Sequence, residues 1–105
     1  MFNIIQRLLY DEISFDERIL PYLEKKIQLV NFLILAKKEL NSYFTEENTW
    51  FFMRPTYSLD GVVLEIHTSQ DGVTALDTLE KFEDKWWINN MPVNSDKILI
   101  DVVFA

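Results

Sequence analysis

The chain has a single histidine, His67, two residues beyond Glu65 in the segment Val62–His67. In an extended strand alternate side chains share a face, so Val63, Glu65 and His67 point one way and Val62, Leu64 and Ile66 the other. The C-terminal run alternates in the same manner. Ile98, Ile100, Val102 and Phe104 form a wholly apolar side, leaving Leu99, Asp101 and Val103 on the second. If the two strands lie side by side and parallel, Glu65, His67 and Asp101 share one sheet face. An imidazole with two carboxylates can move protons as acid and base, or hold a divalent cation. The competing reading is a half-exposed sheet face on which Glu65 satisfies His67. With one histidine in the chain the structural reading leads, and neither a metal nor a cofactor is expected.

Other chemistries are excluded more firmly. There is no cysteine, so disulfides, zinc–thiolate sites and thiol catalysis are out, and a reducing cytoplasm is the expected address. The only glycines are Gly61 and Gly72, which cannot make a glycine-rich phosphate loop. The net charge is −7, and a negative surface repels nucleic-acid backbones and anionic lipid. No nucleic-acid or membrane partner is expected, whereas a basic protein partner suits the charge. The residues from Met1 to Arg7 lack the features of a signal peptide. The apolar run at 27–36 is too short to span a bilayer, which takes about 20 residues.

The second group of candidates is aromatic. Eight Phe, four Tyr and three Trp are many for one small core, and part of that surface is expected to mark an interface. Trp50 and Phe52 fall in Trp50-Phe51-Phe52-Met53-Arg54, an expected edge strand that invites pairing with a second chain. Trp86 continues the apolar stripe of a helix, which sets Trp87 at its border, either as a partly exposed anchor or covering the loop 88–96 or packed on the long helix.

Helices and strands must position these groups. Phe2, Ile5, Leu9 and Ile13 keep helical spacing over 2–13. Ser14-Phe15-Asp16-Glu17 has the form of a capping box, and Pro21 favours a fresh helical start there. From about 21 to 44 a long helix is expected. Its middle, Leu29–Ala36, is apolar on nearly every side and needs cover on nearly every side, from residues 2–13 or from a second chain. After a polar break at 45–48, two strand-like segments flank Asp60-Gly61, a hairpin signal. Ser69 or Asp71 can cap the helix that follows. Ala75, Leu76, Leu79, Phe82 and Trp86 line its apolar face, and Asn89-Asn90 suits a left-handed stop. A polar loop at 93–97 leads to Ile98–Phe104, whose composition fits a strand inside a sheet.

The expected architecture is one α+β domain over 1–105. Two N-terminal helices precede a β-hairpin and a β-α-β unit, which give a three-stranded mixed sheet with 50–57 on one edge and helices on at least one face. The leading functional expectation is a small cytosolic protein–protein interaction or regulatory subunit without catalytic activity, as a homodimer or with another protein. Two alternatives stand beside it: an acidic inhibitor or immunity-type protein for a basic partner, and a small metal-dependent or acid–base enzyme using Glu65, His67 and Asp101.

Overall fold

The computed structural model describes residues 13–24, 26–45, 49–58, 60–92 and 98–104. The helix expected over 2–13 lies outside the described residues except for Ile13, which is buried. The break at 46–48 and the loop at 93–97 also lie outside them.

The α+β class holds, but among the described residues the sheet has four strands. Ser14–Phe15 forms β1, parallel to Phe52–Met53, and the Asp16 amide donates to the Met53 carbonyl at 2.8 Å. Ser14 therefore does not cap a helix. Asp16 does so instead, accepting from the Arg18 amide at 2.9 Å. A single 3-10 turn, Glu17–Ile19, passes into α1, Leu20–Leu23, with Pro21 in its first turn.

The long helix is interrupted rather than continuous from 21. Lys26 takes φ −122° and ψ 56°, outside the helical region, and α2 runs Ile27–Tyr43. The Lys26 carbonyl accepts from the amides of Leu29 and Val30, so the break itself starts the new helix. Leu29, Val30, Phe32, Leu33, Ile34, Ala36 and Leu40 are buried. Ile27 and Leu35 are exposed, so one flank of the helix stays open.

β2 is Trp50–Pro55 and β3 is Val62–Thr68, an antiparallel hairpin. Its loop closes through Thr56 N–H to Gly61 C=O at 3.1 Å. The Asp60 carboxylate accepts from the hydroxyls of Thr56 and Ser58. Next, α3 covers Gly72–Phe82, capped by Asp71, which accepts from the Thr74 amide at 3.0 Å and the Thr74 hydroxyl at 2.8 Å. A π-helical turn, Glu83–Trp87, and a last helical turn, Ile88–Asn90, follow. The chain leaves through an extended Met91 rather than a left-handed asparagine. Asn89 and Asn90 instead turn their side-chain amides onto the carbonyls of Lys85 and Trp86. β4, Ile98–Phe104, pairs parallel with β3, as the β-α-β order requires.

The sheet order is β1-β2-β3-β4. Two expectations change. Trp50–Pro55 is not an edge, because β1 lies outside its middle. β4 is not interior: it ends the sheet among the described residues, and along its apolar side Ile98 is buried, Ile100 and Val102 are half-buried and Phe104 is half exposed. Met53, Val62, Leu64 and Ile66 meet Leu33, Leu40 and Phe82 in one core.

Candidate functional site

The face turned away from this core is set by register. Across the hairpin, Trp50 lies opposite His67, Phe52 opposite Glu65 and Arg54 opposite Val63. Across the parallel pair, Val63 lies opposite Leu99, Glu65 opposite Asp101 and His67 opposite Val103. Partners in register share a face, so Glu65, His67 and Asp101 do lie together.

Their contacts are narrower than their placement. The Glu65 Oε1 meets His67 Nε2 at 3.0 Å, and Oε2 accepts from Arg54 Nε at 2.6 Å. Arg54 reaches Glu65 diagonally across the hairpin and also donates to its neighbour's carbonyl, Pro55 O, at 3.3 Å. Burial pushes the Glu65 carboxyl up. The hydrogen bonds from Arg54 and His67 and the positive charge of Arg54 outweigh this and hold it below its ordinary value. Trp50 stacks on the imidazole with ring centroids 3.8 Å apart and planes 13° from parallel, and Phe52 meets Trp50 edge-on.

Asp101 is exposed. Among the described residues, no hydrogen bond or ion pair joins it to Glu65 or His67, and no group of three His, Asp or Glu side chains could hold a metal ion. Glu65 has both oxygens engaged and Arg54 beside it, so it orients the imidazole without being free to take a proton itself. The arrangement is a self-satisfied hydrogen-bonded row, Arg54–Glu65–His67, capped on one side by an aromatic ring.

No protein-family model, curated protein or solved structure matches the chain.

The interface candidates separate. Trp50 is 50% exposed and Phe52 half-buried, both on the open face. Trp87 is only 5% exposed, packed on Phe32 at 5.0 Å between ring centroids, and offers no surface to a partner. The expected order of the two tryptophans is reversed, since Trp86 keeps the more exposed position. The cause is the π-helical turn, which adds a residue to one turn and brings Trp87 back under the core. Sequence reasoning missed Arg54. The signal was partial: a two-residue Asp60-Gly61 turn and the six-residue loop 56–61 that is observed both put Arg54 on the side of Glu65, but only the observed register sets it opposite Val63.

Proposed function

We propose that this protein is a non-catalytic protein-binding module, acting in the cytoplasm, that contacts its partner through the open face of the sheet. One observation carries the reading. Arg54, Glu65 and His67 on that face are paired with one another, while Trp50 and Leu99, at 50% and 53% exposure, stay open to water on either side of them and Asp101 stands exposed. A face whose central polar row is already paired and whose apolar side chains are uncovered suits burial against another protein, because little desolvation penalty opposes covering that row. It suits catalysis poorly, since neither the carboxylate of Glu65 nor the imidazole nitrogen facing it is free.

The test compares what the wild-type chain and a Trp50→Ala, Leu99→Ala variant retain from native extract, with Leu35→Ala on the helical side as control. Proteins held by the wild type and the control should be lost from the face variant. Equal retention by all three would sink the reading.

A second reading, self-association, is favoured by a different surface. Along α2, Ile27 and Leu35 are exposed one turn either side of Asn31, and a shallow cleft beside them is lined by Phe32, Leu35, Trp86 and Asn90. A second copy of this helix would cover what the single chain leaves bare.

A further inference from the structure

Strand β4 presents a sheet edge with no neighbour among the described residues. It is seven residues long and carries no proline, lysine or glycine, the usual means of blunting an edge. Its single charge, Asp101, sits at the centre, exposed, between Leu99 and Val103 on the open face. On the helix side, Phe104 is half exposed, and the first residue of α3 abuts it: a Cβ on Gly72 would lie 3.8 Å from the Phe104 ring. Val73 and Leu76 of α3 are exposed too, although Leu76 falls on the stripe expected to be buried. The helix and the last strand together carry more apolar surface than four strands cover.

We propose that β4 receives an extended segment of a partner protein as a fifth strand. The segment carries apolar residues at alternate positions on the helix side, and a lysine or arginine on the open face against Asp101. Main-chain hydrogen bonds supply the attachment, as in other strand-addition complexes, and the alternating side chains supply the choice. The basic residue follows from charge complementarity with Asp101 and with a chain of net charge −7. A second copy of this chain is disfavoured as occupant. Because Asp101 is the central residue, antiparallel pairing of all of β4 with itself sets two Asp101 carboxylates opposite each other, a destabilising like-charge pair.

The inference rests on the binding-module reading and names its partner class. It is tested with two synthetic peptides the length of β4, isoleucine alternating with threonine, one with lysine and one with glutamate at the centre. Such sequences read the same in both directions, so strand direction does not matter. The lysine peptide should slow hydrogen exchange in β4, bind roughly fivefold tighter than the glutamate peptide, and lose that preference to the glutamate peptide in Asp101→Lys. Binding of neither peptide, equal binding of both, or protection away from β4 would overturn the inference. So would self-association of Asp101→Asn without peptide binding, which would make Asp101 only a guard against aggregation. Failure here with continued loss of partners from the Trp50→Ala, Leu99→Ala variant would leave the binding module standing without this segment.

Discussion

Glu65 is the residue on which the open face turns, because its two oxygens are shared by the Arg54 guanidinium and the His67 imidazole. Its carboxyl titrates below the ordinary value, so its ionised form favours the fold. The sign follows directly: this contribution is full above the unfolded-state value, near 4.5, and is lost as pH falls through the lower folded-state value. Glu65→Gln keeps the shape and removes the charge. At neutral pH it should cost about 1 kcal/mol in urea unfolding, and the difference from wild type should shrink as the pH falls below 4.5. A gap independent of pH would mean that packing, not charge, holds the row together. The shared face of Glu65, His67 and Asp101 was legible because strand alternation and the β-α-β rule both depend on backbone geometry alone. That Asp101 stands apart was not, since contact depends on side-chain reach, which strand register does not give.

At the scale of elements, the informative feature is the π-helical turn after α3. A regular helix would keep Trp86 in line with Ala75, Leu79 and Phe82 and leave Trp87 at the border. With the wider turn, Trp87 is buried and Trp86 stacks flat on Phe32, with centroids 5.4 Å apart. Trp87→Ala should therefore cost roughly 3–5 kcal/mol, the loss for a large buried aromatic, and Trp86→Ala distinctly less. The reverse order in thermal or urea unfolding would restore the regular helix. The same turn starts at Glu83, whose carboxyl is raised by burial and then by the charges of Asp84 and Glu80. Here ionisation opposes folding, so the penalty is absent below about 4.5 and complete once the pH exceeds the folded-state value. Glu83→Gln should stabilise the chain at pH 7 by roughly 0.5 kcal/mol and leave it unchanged in acid. The period of 3.6 was readable in the sequence and the insertion was not, because a π turn is chosen by what the rings pack against. β1 escaped notice for a similar reason. Two residues carry no alternation, and Ser14 reads equally well as a cap until Met53 is placed beside Asp16.

The described residues form a sheet with helices on one side, and two of their exposed apolar groups bear on partners: the open face with the β4 edge, and the outer flank of α2, with Tyr57 and Ile88 exposed besides. That division was half legible. The run Leu29–Ala36 announced a helix in need of cover, and the core supplies it to all but the side of Ile27 and Leu35, the latter 55% exposed. Which side remained bare could be learned only by seating α2 against Met53, Leu64 and Phe82. Two copies meeting there would bury Leu35 of both near a twofold axis, in the isologous manner of most small dimers. Each copy brings a charge of −7, so long-range repulsion opposes the dimer and salt screens it, with a Debye length of about 8 Å at physiological ionic strength. Sedimentation equilibrium should therefore show a dimer whose dissociation constant falls as salt is raised. Leu35→Lys should give a monomer under all conditions, and Trp50→Ala should leave the dimer intact. A wild-type chain that remains monomeric at high salt would remove self-association and leave the open sheet face as the surface for a different protein. Dissociation by Trp50→Ala with a dimeric Leu35→Lys would move the dimer to the sheet, where it would compete with the strand-addition partner for the same side of the molecule.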